Sequence, residues 1–382
     1  MEWSSAKVCD YVARSGLLGE GGLSAVEVGD GNINIVFCVW STQDRSRSLI
    51  FKHAPPYIKV LGPGYPLTQH RIAIEARAMM LFHELVPGSV PKPLHYDLDT
   101  HVLLMEDLLG YHILRDALVD GDIRHSVAAS VGCFMGTVHR TTLADRLPDS
   151  ELQELLQDFH NPDMQAITSA YVFTKPFQQD PTNRNTAGLD TLAEEVRCDQ
   201  ALLAEISRLR ARFNNAQEGV VHGDLHTGSV MVREQDARVI DGEFAFFGPI
   251  AFDMGALLAN YLLAWHAHSG ENQDKLLHSI GDCWQAYGQA MDLPEGLQEI
   301  WREAIQFAGV KMLRRILGAA HVKDIECIED VTRRVAVETQ AIGCARELIL
   351  SPPTVTELAQ MLAQTATQTI EQTIDQSADQ HA

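Results

Sequence analysis

From Leu23 to Met105 the apolar residues fall in short runs broken by turn residues, whereas from Arg124 onward they recur at three- and four-residue steps. Leu23–Val28, Asn34–Trp40, Ser48–Lys52, Leu94–Asp97 and Val102–Met105 read as strands, rich in β-branched and aromatic residues. A short helix is expected over residues 1–18. A second is expected from a Thr68 cap to about Val86, with Ile72, Ala76, Met79, Phe82 and Val86 as its apolar stripe. The strand pattern breaks at Glu106–Gly110. Helices are then expected near 124–142, 150–158, 189–215, 253–268 (capped by Asp253), 271–291, 294–320 and 329–350. Gly132 and Gly136 on the first of these would let another backbone come close. The expected fold is α+β with two lobes. Residues 1–108 would form a nucleotide-binding lobe of five antiparallel strands and one main helix, and 109–352 a larger, mostly helical catalytic and substrate-binding lobe. Residues 353–382 read as a polar tail, a frayed helix or disordered.

Several polar residues interrupt this pattern in ways that suggest chemistry. Glu75 lies on the apolar stripe of its helix, where a carboxylate needs a cation. Lys52, at the end of the third strand, is the nearest candidate, although a lone lysine there could equally be solvated. The segment Val28–Asn34, rich in Gly, Asn and Asp, joins two extended runs. It suits either an ordinary hairpin or a loop offering N–H groups to phosphates. Two short apolar runs, Gly219–Val221 and Arg238–Ile240, each end in acids: His222-Gly223-Asp224 after the first, Asp241-Gly242-Glu243 after the second. Carboxylates just past buried strands stand on rigid supports.

In order along the chain, these parts match what phosphoryl transfer requires. Lys52 would hold the phosphates of ATP, with Glu75 as its partner. Asp224 would orient an acceptor hydroxyl and take its proton, and Asp241 and Glu243 would hold Mg²⁺ as hard oxygen ligands. Ser229 stands five residues after Asp224, where protein kinases place a metal-binding asparagine, so it is a further candidate ligand. Arg314 and Arg315 fall in a largely apolar helix and need acidic or ligand partners unless they lie at its exposed end. His139, near an apolar stripe, reads as a satisfied core histidine.

Bulk properties narrow the class without choosing the substrate. The net charge of −21 disfavours nonspecific binding to nucleic acid or anionic membrane. Seven scattered cysteines without a C-x-x-C pair argue against a disulfide framework or a zinc site. Phe244–Trp265 is interrupted by Pro249, Asp253 and Asn260, which disfavours a membrane span. The N-terminus lacks signal-peptide character, and a cytoplasmic location is expected.

Particular motifs then carry a resemblance: DGNINIVF (30–37), MEDL (105–108), HGDLHTGS (222–229), DGEFAFFGPIAFD (241–253) and KMLRRILGAAHVKDIECIED (311–330). Together they resemble the aminoglycoside-phosphotransferase-like kinases, which share the bilobal protein-kinase-like fold, and within them the S-methyl-5-thioribose kinase family. The resemblance spans about residues 20–350. It implies that Asn34 and Lys52 contact ATP, that the backbone of Glu106, Asp107 and Leu108 holds adenine, and that Asp241, Gly242 and Glu243 line the metal–nucleotide site. It further implies that Asp224 acts on a sugar hydroxyl and that Arg314 or Arg315 touches the substrate. The implied reaction is phosphorylation of methylthioribose at its C1 hydroxyl in methionine salvage, usually by a homodimer. Gly242 departs from the D-P-E of that family, and the segment before Arg314 is shorter. A related kinase for an aminosugar, choline or homoserine is the alternative, but paired arginines suit a neutral sugar better than a cationic acceptor. A non-catalytic nucleotide-binding module is expected to have lost Lys52, Asp224 or Asp241, and all are present.

Overall fold

In the computed structural model, which describes residues 3–29 and 33–364, the first strands form one antiparallel sheet. Its strands are β1 (Leu23–Glu27), β2 (Ile35–Ser41), β3 (Ser48–His53), β4 (Pro93–Asp97) and β5 (Val102–Glu106), in the order β1-β2-β3-β5-β4. In the central strands β2, β3 and β5 the side chains alternate between two largely buried faces, which is why these runs are mostly apolar. Phe37, Val39, Leu49, Phe51, Val102 and Leu104 pack on Val8 and Val12 of helix α1 (Ser5–Ser15). Leu103 and Met105 face the other way and join a core that includes Ile72, Ala76 and Met79 of α2 (Arg71–Leu85). Lys52 pairs with Val36 on one side and Leu103 on the other, so alternation directs it toward α2.

Beyond Glu106 the chain is mostly helical. A short strand β6 (His112–Ile113) precedes α3 (Leu114–Val119), α4 (His125–Thr142), α5 (Asp149–Asp158), α6 (Pro162–Phe173), α7 (Asp190–Cys198) and α8 (Gln200–Asn215). Then come β7 (Gly219–Val221), β8 (Val230–Arg233), β9 (Asp236–Val239) and β10 (Phe246–Gly248). β7 pairs with β10, and β6-β8-β9 form a second small sheet. The chain continues through α9 (Ala251–Ala267), α10 (Glu271–Met291), α11 (Leu297–Leu317), α12 (Lys323–Glu326) and α13 (Val331–Leu350). The α9 helix is buried from Ala251 to His266, so it forms the axis of the larger core. The close approach expected at Gly132 and Gly136 is present. A Cβ there would lie 2.1 Å from the Cys283 carbonyl and 2.6 Å from that of Tyr287, both on α10.

Several expectations need correction. Helix α2 begins at Arg71, and Thr68 does not cap it; its hydroxyl accepts from the His70 N–H at 3.2 Å in the preceding turn. The helix expected over 189–215 is two helices, because Asp199 leaves the helical conformation and its carboxylate caps α8 through the Leu202 N–H at 3.1 Å. Helix α6 was not expected, because residues 145–190 are polar and carry prolines; its turns pack Met164, Val172 and Phe173 into the core. Asp253 is not a helix cap but sits inside the first turn of α9, with its carboxylate directed elsewhere. Residues 30–32 of the expected hairpin and 365–382 of the expected tail lie outside the described residues; 355–364 are helical.

Candidate active site

The misread Asp253 organises the site. Its carboxylate accepts from the backbone N–H groups of His222 (2.6 Å) and Gly223 (2.9 Å) as the chain leaves β7. His139 lies 3.5 Å from the same carboxylate and 3.2 Å from the Tyr287 hydroxyl, a satisfied core histidine as its spacing implied. Gly223 is required by this turn: its φ is +82°, and a Cβ would fall 2.1 Å from the Phe244 carbonyl. The His222 ring meets the Ile240 carbonyl at 2.8 Å, tying the turn to the end of β9. Asp224 and Asp241 are therefore held by one hydrogen-bonded frame.

On the sheet side of this frame, one cation faces three acids. Lys52 Nζ donates to Glu75 at 2.6 Å, Asp241 at 2.6 Å and Glu243 at 3.2 Å. Oxygens of these three carboxylates lie within 4.8 Å of one another. Burial works against the charge of Lys52, but Asp241, Glu243 and Glu75 outweigh it and hold its pKa well above the ordinary range. Glu75 is pushed up to about 8 by burial and by its two acidic neighbours, and among the described residues its second oxygen has no hydrogen-bond partner. The three carboxylates converge into an all-oxygen set, the donor chemistry that fits a hard divalent cation. Asp241 is 47% exposed and sits at φ +64°, a left-handed conformation that aspartate tolerates better than most residues.

Asn34 joins this side as a relay. Its amide donates to Glu243 at 3.0 Å and accepts from Arg71 Nε at 2.9 Å. Arg71 is fully buried and also donates to the Pro55 carbonyl at 2.8 Å. The sequence reading missed Arg71, although its position four residues before Glu75 on the same helix face was the available signal. Gly242 packs on α2, its Cα near Ala78. At the end of β5, Glu106 accepts from the Lys92 N–H at 2.9 Å, Asp107 lies 3.8 Å from Arg45, and Leu108 is buried.

On the other side of the frame, one acid faces cations. Asp224 Oδ1 accepts from Lys311 Nζ at 2.8 Å, and Oδ2 lies 3.4 Å from His226 Nε2. His226 Nδ1 accepts from the Gly228 N–H at 2.9 Å, so its proton is on Nε2, toward Asp224. Burial pushes the His226 pKa down to about 3, against the pull of Asp224, and keeps the ring neutral. Arg115 of α3 reaches His226 Nδ1 at 3.2 Å and lies 3.8 Å from Asp324 of α12. Arg315 is buried, donates to the His321 carbonyl at 3.5 Å, and has an Nε without a partner among the described residues; the half-buried Arg314 reaches the Ala320 carbonyl at 3.4 Å. The Ser229 hydroxyl donates to the Asp224 carbonyl at 3.0 Å, which braces the turn. Lys311, Arg115 and Asp324 were missed by sequence reasoning. Lys311 offered a signal, a lysine amid the apolar positions of its helix.

Comparison with known proteins places the chain in a family. The chain matches the phosphotransferase enzyme family (APH) across residues 24–293. It belongs to that family of phosphotransferases, and it is a small-molecule kinase. The methylthioribose kinase of Bacillus mycoides (strain KBAB4) is 34% identical over 340 residues, 85% of this chain and 86% of that protein. The methylthioribose kinase of Geobacillus sp. (strain WCH70) is 34% identical over 366 residues, 91% of each. Among solved structures, amicoumacin kinase hAmiN, in complex with AMP-PNP, Ca²⁺ and Ami, shares the fold. Its TM-score is 0.51 at 15% identity, covering 91% of this chain and 96% of that one. Among the described residues no helix is long and apolar enough to cross a membrane.

Proposed function

We propose that the protein transfers the γ-phosphoryl group of ATP to the C1 hydroxyl of S-methyl-5-thioribose, giving S-methyl-5-thioribose 1-phosphate and ADP. The observation that carries this reading is the pairing, on one backbone frame, of an acid-rich cation site with a carboxylate ringed by cations. The first suits a metal–nucleotide donor and the second a hydroxyl acceptor. The 34% identity to curated methylthioribose kinases over 85% of the chain supports the particular sugar.

In the proposed reaction the acceptor oxygen bonds to the γ-phosphorus as the bond from that phosphorus to the β–γ bridging oxygen breaks. ADP leaves with the electron pair, and the hydroxyl proton passes to Asp224. Lys52 would contact the donor phosphates while Glu75 keeps it aimed. Asp241 and Glu243 would hold Mg²⁺, which when bound supplies positive charge against the phosphate oxygens. Asn34, through Glu243, would keep that carboxylate oriented. The strand end at Glu106–Leu108 would receive adenine, and Arg314 or Arg315 would contact the sugar.

The test is ADP release by the purified protein with Mg²⁺, ATP and, in turn, methylthioribose, an aminoglycoside, choline and homoserine. Stimulation by methylthioribose above the others is expected. Stimulation by another acceptor alone would overturn the substrate while leaving the phosphotransferase class intact.

A further inference from the structure

Lys311 lies near the middle of the site, yet no motif assigns it a task. It sits on α11 three and four residues before Arg314 and Arg315, in a run buried from Ala304 to Leu313. Its side chain is 2% exposed, and its ammonium stands 5.1 Å from the centroid of the Phe252 ring. Among the described residues Asp224 is its only hydrogen-bonding partner. Stability alone gives little reason for such a pair. Replacing a buried ion pair by well-packed apolar residues is often neutral or favourable.

The pair makes the two oxygens of Asp224 unequal. Oδ1 is held by a short charge-assisted bond of 2.8 Å, while Oδ2 has only the longer 3.4 Å approach of His226. The side chain is 24% exposed, so the carboxylate is reachable. We infer that Lys311 is a positioning residue for the transfer step: by clamping Oδ1, it aims Oδ2 at the acceptor hydroxyl and balances the carboxylate's charge until the proton arrives. The inference rests on the proposed role of Asp224. Burial opposes the charge of that carboxyl, but Lys311 and then His226 outweigh it and hold it well below the usual carboxylate range. So weak a base accepts the proton only late, once the bond to phosphorus is largely made. Orientation is then its main contribution, and orientation is what the lysine supplies.

The experiment is a double-mutant cycle between Lys311→Met and Asp224→Asn, assayed with whichever acceptor stimulates ADP release. The expected result is a fall in kcat of about 100-fold for Lys311→Met, with KM for ATP within about threefold of the parent. In the Asp224→Asn background the same replacement should cost nothing further, because a residue acting through Asp224 has nothing left to position. An undiminished kcat in Lys311→Met, or an equal additional loss in the Asp224→Asn background, overturns the inference. If Lys311→Met does not fold, Lys311→Gln keeps a donor without the charge and is judged by the same outcomes. Full turnover in Asp224→Asn defeats the proposed role of Asp224 itself. An inactive Asp224→Asn beside a fully active Lys311→Met defeats only the role of Lys311.

Discussion

The two sides of the site, proposed to take the donor and the acceptor, gather opposite charges around their central residue. Around Lys52 a single ammonium meets Glu75, Asp241 and Glu243. Around Asp224 a single carboxylate meets Lys311, with Arg314 and Arg315 adjoining and Arg115 reaching it through His226. On the proposed assignment, the clustered carboxylates hold a metal-bound nucleotide, and the clustered cations offset the negative charge that phosphoryl transfer brings to the acceptor. Because both sides hang from the frame of Asp253, His222 and Ile240, their separation is set by hydrogen bonds between buried side chains and the backbone. The overall charge of −21 says nothing of this, since the acceptor side is a local reversal of it.

The contrast can be broken from either side. The largest effect is expected for Lys52→Met, which leaves three carboxylates facing one another. Its kcat/KM for ATP should fall by about 100-fold or more, and thermal melting with and without Mg²⁺ should show a larger metal-dependent rise in Tm than in the parent. A parental kcat/KM would remove Lys52 from the donor side. A smaller effect is expected for Arg315→Met, whose signature should be confined to the acceptor: KM for the sugar about tenfold higher, KM for ATP unchanged. Equal changes in both constants would mean that the two sides are not separable.

The smallest effect lies outside both sides and sets a baseline for acid sensitivity. His266 is buried, neither ring nitrogen has a hydrogen-bond partner among the described residues, and burial pushes its pKa down to about 3. The unfolded chain binds this proton near pH 6.5 and the folded chain only near 3. The neutral ring is therefore fully tolerated above pH 6.5, and stability is lost as the pH falls from there toward 3. His266→Phe should shrink that loss by at most about 1.4 kcal/mol per pH unit. Chemical denaturation of both proteins at pH 7 and pH 5 reads it directly. An unchanged pH dependence would show that His266 is not the source.

How much of this was legible beforehand depended on whether the signal was local. The five strands were readable because the turns between them are rich in Gly, Pro and Asp. Lys52 and Glu75 were paired from a stripe violation, a carboxylate where the helix should be apolar, and they lie 2.6 Å apart. Asp253 was misassigned because a carboxylate at the start of a helix looks the same in sequence whether it caps its own helix or reaches across to residues 222–223. The single helix expected over 189–215 failed for a related reason, since the periodicity runs through Asp199 while the backbone does not. Lys311 and Arg115 depend on contacts across 87 and 111 positions, which no local pattern encodes. Arg314 and Arg315 were noticed only because guanidinium groups are conspicuous on an apolar helix.

Lys311, Arg314, Arg315 and Asp324 all lie beyond residue 293, where the match to the wider phosphotransferase family stops; Lys52, Asp224, Asp241 and Glu243 lie within it. On the proposed assignment of donor and acceptor residues, inheritance and specialisation are written in different stretches of the chain. A lineage could retain its way of handling nucleotide while exchanging one carboxy-terminal hairpin of helices for another, and so acquire a new acceptor without rebuilding its phosphate chemistry. Grafting that terminal segment between related kinases is the corresponding route for an engineer.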